Sequence, residues 1–221
     1  MLEDFIELVR QLFPAINPYV AEKAKKILHQ FKELDKFGEP VIVKGRQKYK
    51  NIKWFLDKPL GYLAQGDVIG DFNFKFIDCD GYEREFETSG MLLSNTCDAA
   101  RDENIILAPL IPFDTEKLKA ERINEYDLFN NKIFQILYYP NCDEPCDDLS
   151  NYFIDLSIIN TFPRELVMKK IEERKIMKKS SLSDFGYYLF LSKLTLRLMR
   201  PEDLETQKER KVYSDEEVFS R

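Results

Sequence analysis

A short polar segment between two apolar runs concentrates the side chains that could do chemistry. The runs Gly90–Leu93 and Ile105–Leu110 are almost continuously apolar, as strands are when both of their faces are covered. The segment between them, called the SNTCD loop below, carries hydroxyl, amide, thiol, carboxylate and guanidinium groups on Ser94, Asn95, Thr96, Cys97, Asp98 and Arg101. We therefore treat this loop as the first candidate site.

The chemistry available to the SNTCD loop is limited by its neighbours. Cys97 could be a nucleophile, but an adjacent carboxylate such as Asp98 raises a thiol pKa rather than lowering it. The single histidine of the chain, His29, falls on a distant predicted helix, so the commonest general base is missing. Asn95 and Asp98 are also ordinary turn formers. Three interpretations stay open: a structural turn, a loop that binds a ligand or partner, and a catalytic centre.

A second candidate is the basic and aromatic run that follows the predicted strand Val41–Val43. Interleaved basic and aromatic side chains bind single-stranded nucleic acid by phosphate contact and base stacking. The candidate residues are Lys44, Arg46, Lys48, Tyr49 and Trp54. The alternative is an exposed strand with a charged outer side and with Trp54 in the core.

The cysteines give little support for a metal site. Cys142 and Cys146 lie close together, separated by three residues in an acidic loop. Zinc sites usually take a second such pair or histidines, and neither is near. We predict no metal and no cofactor.

Composition and charge narrow the class of protein. The 221 residues carry 33 basic and 39 acidic side chains, a net charge of -6, which argues against a nucleic-acid-coating protein. The charge is uneven: residues 164–200 hold 10 basic and 4 acidic side chains, a balance of +6. No apolar run reaches the ~18 residues of a membrane span. The acidic start of the chain does not fit an export signal, so we expect a cytoplasmic protein with free thiols.

The periodicities predict an α+β fold. Helical spacing predicts an N-terminal pair of helices within residues 1–38, a helix at 114–129 and C-terminal helices within 161–200, followed by a polar tail at 201–221. Short strands joined by hairpin-length links, including an Asp80-Gly81 turn, fill residues 39–160. The strands predicted there include Tyr82–Glu87, Gly90–Leu93, Ile105–Leu110, Lys132–Tyr139 and Tyr152–Ile158. This order predicts a compact antiparallel β-barrel core.

The middle of the chain resembles the MazF/PemK family of small-barrel toxins, which are RNA endonucleases. The resemblance covers residues 65–113 and rests on Gly66-Asp67-Val68-Ile69, Leu92-Leu93-Ser94 and Ala108-Pro109-Leu110. Ser94–Asp98 is also similar to a Ser-x-x-Cys-Asp segment of uncharacterised bacterial proteins near defence genes. Where the toxins carry an arginine and a Thr or Ser for cleavage, this chain has Glu87–Gly90 and Ile111-Pro112. The resemblance therefore implies a fold but transfers no catalytic residue.

Two functions follow as hypotheses. The first is a non-catalytic, toxin-like binding module that engages another protein, which could be a second copy, or a nucleic acid, in a toxin–antitoxin or phage-defence system. Its contact surfaces would be the helix pair within residues 2–34 and the basic region 164–200. The second is a divergent RNA endonuclease with its site at the SNTCD loop and with Lys44, Arg46 and Lys48 steering the RNA. Neither involves a membrane.

Overall fold

Seven strands of one antiparallel sheet and three helices occupy residues 53–112, 135–139 and 152–199, the part of the chain that the computed structural model describes. The strands are β1 (Val68–Ile77), β2 (Glu83–Leu92), β3 (Asn104–Pro112), β4 (Ile136–Tyr139), β5 (Tyr152–Asp155), β6 (Asn160–Pro163) and β7 (Lys178–Ser180). The helices are α1 (Thr96–Arg101), α2 (Arg164–Glu172) and α3 (Asp184–Met199). The predicted α+β class is confirmed.

The sheet is organised around β3, as its apolar sequence predicts. The strand order is β4-β5-β3-β2-β1-β7, and β6 pairs with the same edge of β3 as β5. Between β5 and β6 the chain makes a turn, where the Asp155 carboxylate accepts hydrogen bonds from the Ser157 backbone N–H at 2.8 Å and from its hydroxyl. This Asx turn ends β5. The predicted strand Tyr152–Ile158 is therefore wrong in its second half, and β6 lies where the sequence favoured the start of a helix.

Both faces of the central strands are buried, which explains their unbroken apolar runs. Met91 of β2 packs on one face with Phe185 and Leu189 of α3. Its neighbour Leu92 packs on the other face with Ala99 of α1 and Val167 of α2. Successive side chains of a strand alternate between faces, so each residue contributes to a different core, at about 1.5–3 kcal/mol for each large apolar side chain. The prediction of strands covered on both faces is confirmed.

The sheet curls but is not closed by a β-ladder. The carboxamide of Asn160 in β6 accepts from the Lys75 N–H at 2.8 Å and donates to the Lys75 carbonyl at 3.0 Å. The hydroxyls of Tyr139 in β4 and Ser180 in β7 lie 2.6 Å apart. Side chains thus link strands that no backbone ladder joins. The structure establishes a curled antiparallel sheet, which is coarser than the predicted barrel.

The predicted strands Tyr82–Glu87 and Gly90–Leu93 form one continuous strand, β2. The prediction left residues 88 and 89 outside a strand, but β2 runs through them and through Gly90, which leaves room for its neighbours. A Cβ there would lie 2.9 Å from the Phe74 ring and 3.2 Å from Leu107. Gly90 is therefore a packing residue rather than a strand end.

Other predicted elements agree with the structure or lie outside it. The Asp80-Gly81 turn is confirmed: Gly81 has φ +84° and donates its N–H to the Asp78 carbonyl. The two C-terminal helices are confirmed as α2 and α3. The predicted helical arm 1–38, strand 41–43, helix 114–129 and tail 201–221 lie outside the described residues. Among the described helices, none has the length and apolarity that a membrane crossing requires.

Candidate functional site

Three side chains of the SNTCD loop are used to hold the backbone. The Ser94 hydroxyl accepts the Ile106 N–H at 2.9 Å, and the Thr96 hydroxyl accepts the Gln65 N–H at 3.0 Å. Asn95 is the N-cap of α1, and its side chain accepts the Cys97 N–H at 2.9 Å. These bonds tie the loop to β3 and to the segment before β1, as the structural-turn interpretation requires.

The remaining loop residues are exposed. The Cys97 thiol is exposed. Arg101 donates to the Cys97 carbonyl at 3.1 Å, and its guanidinium lies 3.9 Å from the exposed Asp98 carboxylate. A nucleophile needs a base within about 3.2 Å, and none of the residues that the structure describes makes such a hydrogen bond to the Cys97 thiol.

A buried ion pair fastens β7 to the start of β1. The Asp67 carboxylate accepts from the Ala64 N–H at 2.8 Å, from the Lys178 ammonium at 2.8 Å and from the Ser181 hydroxyl. The side chains of Asp67 and Lys178 are only 1% and 13% exposed. Lys178 also donates to the Tyr62 carbonyl. The Gly-Asp dipeptide therefore has a clear structural role in this chain, because its carboxylate anchors an edge strand.

A second Asp–Ser–Lys cluster lies at a bulge in β1. Gly70 and Asp71 together oppose Ser89, which adds one residue to β1. The Ser89 hydroxyl donates to Asp71 at 2.8 Å, and the Lys179 ammonium lies 2.6 Å from this hydroxyl and 3.2 Å from the carboxylate. A Cβ on Gly70 would lie 2.6 Å from the end of the Lys179 side chain, so a larger residue there would require the lysine to shift.

Ser89 and Lys179 of this second cluster resemble a serine nucleophile with a lysine base, but their contacts serve to hold β7 against the sheet. The Ser89 hydrogen bond, with help from Lys179, lowers the pKa of Asp71, so this carboxylate is a weak base. Lys179 is paired with that carboxylate. Ser89 is also buried, which leaves no room for a substrate at its hydroxyl. We call the two clusters together the β7 clamp.

The pKa of Lys193 departs far from its ordinary value. This lysine lies on α3 and is fully buried. Desolvation lowers its pKa to about 7. Such a pKa would suit a general base, but complete burial keeps substrate away, so we assign Lys193 to the core.

The predicted basic region 164–200 is only partly free. Lys178 and Lys179 belong to the β7 clamp, Lys193 is buried, and Lys175 is paired with Glu173 at 2.6 Å. Arg174 is exposed, makes no ion pair with the residues that the structure describes, and has an unusual φ of +55°. A non-glycine residue with positive φ is uncommon and marks a local constraint on the backbone.

Two large exposed side chains lie in the two segments that carry these basic residues and Lys58. Tyr62 is 61% exposed and Met177 is 68% exposed. The two segments meet, because Lys178, next to Met177, donates to the Tyr62 carbonyl. We call the exposed side chains of the two segments the Tyr62 surface; they are Lys58, Tyr62, Arg174, Lys175, Met177 and Lys179.

The sequence pointed to another part of the chain for nucleic-acid contact. Trp54 lies in the core, 4% exposed, with its ring edge-on to Phe185 at 5.7 Å between centroids. Its ring is therefore not open to a base. Lys44, Arg46, Lys48 and Tyr49 lie outside the described residues. The Tyr62 surface was missed because an isolated tyrosine after Pro59 and Gly61 shows no pattern that marks it as exposed.

Metal binding and similarity to known proteins add no further assignment. Within residues 53–112, 135–139 and 152–199, no group of three or more His, Cys, Asp or Glu side chains could hold a metal ion. No family model matches the chain, and no curated protein matches it. The assignment of function therefore depends on the chemistry of the surface.

Proposed function

We propose that this chain is a non-catalytic binding module that holds single-stranded RNA on the Tyr62 surface. The observation that carries this proposal is a tyrosine that is 61% exposed, in a segment that meets the basic segment 174–179 through the hydrogen bond from Lys178 to the Tyr62 carbonyl. Tyr62 offers a face for base stacking, and Lys58 and Arg174 offer charge to phosphates. Aromatic platforms combined with a basic surface bind single strands with little sequence preference.

The absence of catalysis is part of the proposal. The groups that could act in RNA cleavage are occupied elsewhere: Ser94, Asn95 and Thr96 hold the backbone, and Ser89 and Lys179 hold β7. Binding without cleavage is therefore supported better than the alternative of a divergent endonuclease.

The setting of the proposal comes from the sequence. The resemblance to small-barrel toxins over residues 65–113 supports a cytoplasmic role in a toxin–antitoxin or phage-defence system. The curl of the sheet, with Asn160 and Tyr139 linking strands that have no ladder between them, supports a barrel-like core of the kind those toxins have.

The direct test is an anisotropy titration of a fluorescent single-stranded RNA with the full chain. Tyr62→Ala should weaken binding roughly 5- to 150-fold, since stacking on an aromatic ring contributes about 1–3 kcal/mol per base. The matched control is Tyr82→Ala, which removes an equally exposed tyrosine (64%) at the far end of the β1–β2 hairpin. Equal losses in both variants would contradict the proposal.

The same samples test the electrostatic and catalytic parts. Arg174→Ala should reduce the slope of log affinity against log salt by about 0.7 if the guanidinium contacts one phosphate. The RNA should stay intact on a denaturing gel after incubation. Specific cleavage would favour the endonuclease, and cleavage that disappears in Cys97→Ala/Asp98→Ala would assign the site to the SNTCD loop.

A further inference from the structure

Helix α2 ends in a tight turn whose backbone hydrogen bonds fix its conformation. The Arg174 N–H donates to the Ile171 carbonyl at 3.0 Å, and the Lys175 N–H donates to the Lys170 carbonyl at 2.9 Å. Together with the φ of +55° at Arg174, these bonds make a Schellman motif, in which the residue after the C-cap takes the left-handed conformation. That residue is usually glycine.

Arginine is an unfavourable residue at this position. In the left-handed region the Cβ of an L residue comes close to the following carbonyl oxygen, a contact that glycine avoids. The folded chain therefore holds Arg174 in a strained conformation that glycine would adopt without strain. Residues held in this way cluster at functional sites. The side chain of Arg174 should therefore contribute something that glycine could not.

That contribution is not a contact within the described part of the fold. The Arg174 side chain is exposed, and it makes no ion pair or side-chain hydrogen bond with the residues that the structure describes. A cation at the end of a helix also interacts favourably with the helix dipole, but Lys169 and Lys170 in the last turn of α2 already supply that charge. The turn therefore presents the Arg174 guanidinium to solvent.

Two ammonium groups beside Arg174 share one carboxylate. The Glu173 carboxylate lies 2.6 Å from the Lys175 ammonium and 3.9 Å from the Lys169 ammonium. All three of these side chains are more than one third exposed. With Arg174, three cations therefore stand against one carboxylate at the end of α2. We call Lys169, Arg174 and Lys175 the α2 corner.

We propose that the α2 corner binds a phosphate group of the RNA backbone, and that Arg174 is held in the left-handed turn so that its guanidinium meets the phosphate oxygens. Guanidinium groups bind phosphate through two parallel N–H···O bonds. Lys178, which donates to the Tyr62 carbonyl, follows Arg174 by four residues, so the corner is close along the chain to the segment that meets Tyr62. The RNA as the source of the phosphate rests on the proposed function.

Thermal unfolding of the full chain tests whether Arg174 is held against the preference of the backbone. Arg174→Gly removes the strain and should raise the Tm by about 2–4 °C. Arg174→Lys keeps both strain and charge and should leave the Tm unchanged. The matched control Arg197→Gly, within α3, should not raise the Tm, because glycine is unfavourable in a helix. An Arg174→Gly variant no more stable than the unaltered chain would overturn the inference.

Anisotropy titrations at low salt with two fluorescent probes test the ligand. One probe is a single-stranded RNA, and the other is an oligonucleotide of the same length that carries phosphates but no bases. Arg174→Gly should weaken the binding of both probes at least about 5-fold, because both offer phosphate oxygens. Arg174→Lys should retain part of the binding, since its charge remains without the bidentate geometry. Tyr62→Ala should weaken the binding of RNA alone, because the second probe has no base to stack.

The two probes separate this inference from the proposed function. RNA binding that depends on Tyr62 but is unchanged in Arg174→Gly would overturn the α2 corner and leave the proposed function standing. Binding of the base-free probe that is lost in Arg174→Gly, with RNA binding that Tyr62→Ala does not weaken, would support the corner and count against stacking on Tyr62. A chain that binds neither probe would contradict both.

Discussion

Replacing Asp67 by Asn tests whether the β7 clamp holds the edge of the sheet. Strand β7 is only three residues long, Lys178–Ser180, and has no apolar side chain to bury. Its attachment therefore depends on polar contacts. Asparagine keeps the shape of Asp67 and can still accept from the Ala64 N–H, but it removes the charge that balances Lys178.

The expected loss of stability in Asp67→Asn follows from the burial of the Asp67–Lys178 ion pair. Breaking a buried ion pair by neutralising one partner typically costs about 3–5 kcal/mol, because the other charge stays buried without compensation. The matched control is Asp71→Asn, whose pair with Lys179 is 54% and 49% exposed. Exposed pairs contribute about 0–1 kcal/mol, so the control should lose little.

Urea unfolding followed by circular dichroism measures both free energies of unfolding. For a chain of this size the Asp67→Asn loss corresponds to a fall in Tm of about 6–20 °C. Asp67→Asn/Lys178→Met should recover much of the stability, because no unpaired charge then remains buried. A loss in Asp67→Asn no larger than that in Asp71→Asn would refute the reasoning.

Three further predictions concern the core and the SNTCD loop. Lys193 binds its proton less tightly in the folded chain than in the unfolded chain, so its contribution to the free energy of unfolding should rise between about pH 7 and pH 10.5, by up to about 1.4 kcal/mol per pH unit. Lys193→Met should remove that rise. If the pH profiles of the variant and the unaltered chain are parallel, the assignment is contradicted. Gly186→Ala would bring a Cβ within 2.3 Å of the Trp54 carbonyl and should lower the free energy of unfolding, measured by thermal unfolding, by about 1–3 kcal/mol. The control Gly61→Ala, where a Cβ meets open space, should lower it far less. Similar losses in the two variants would refute the close contact between Gly186 and Trp54. Asn95→Ala should lower the free energy of unfolding by about 1 kcal/mol because the N-cap of α1 is lost, whereas Asn95→Asp should keep most of the capping stability. An Asn95→Ala variant as stable as the unaltered chain would argue against the cap.

Local patterns in the sequence were enough to predict the β1–β2 hairpin. The alternation of Phe72, Phe74 and Phe76 with polar residues gives the inward face of β1, and Asp80-Gly81 gives the turn. Such features depend on residues close together in the chain. The apolar run of β3 likewise predicted a strand covered on both faces.

Strand β7 could not be predicted in the same way. Lys178, Lys179 and Ser180 have no strand pattern, and they form one because Asp67 and Asp71 lie across from them, more than 100 residues earlier. Strand formation depends more on such tertiary context than helix formation does. The predicted gap at residues 88 and 89 was wrong for a similar reason, since the β1 residues that pair with this part of β2 and the Phe74 ring that fills the space at Gly90 belong to another strand.

The candidate site shows the same limit. The SNTCD loop was a reasonable candidate because it joins buried strands and is rich in polar side chains. The sequence does not show which groups these hydroxyls bond. In the structure the Ser94 hydroxyl accepts the Ile106 N–H and the Thr96 hydroxyl accepts the Gln65 N–H, so both hydroxyls hold the backbone. The exposure of Tyr62 also depends on how the preceding segment lies against Lys178, which no local pattern encodes.

Hydrogen–deuterium exchange of the full chain, with and without a single-stranded RNA, tests the central claim most directly. The account predicts that RNA slows exchange in two segments, residues 57–63 and 174–180, which together form the Tyr62 surface. It predicts no change at residues 94–101. Protection centred on the SNTCD loop, or protection that leaves both segments of the Tyr62 surface unchanged, would contradict it.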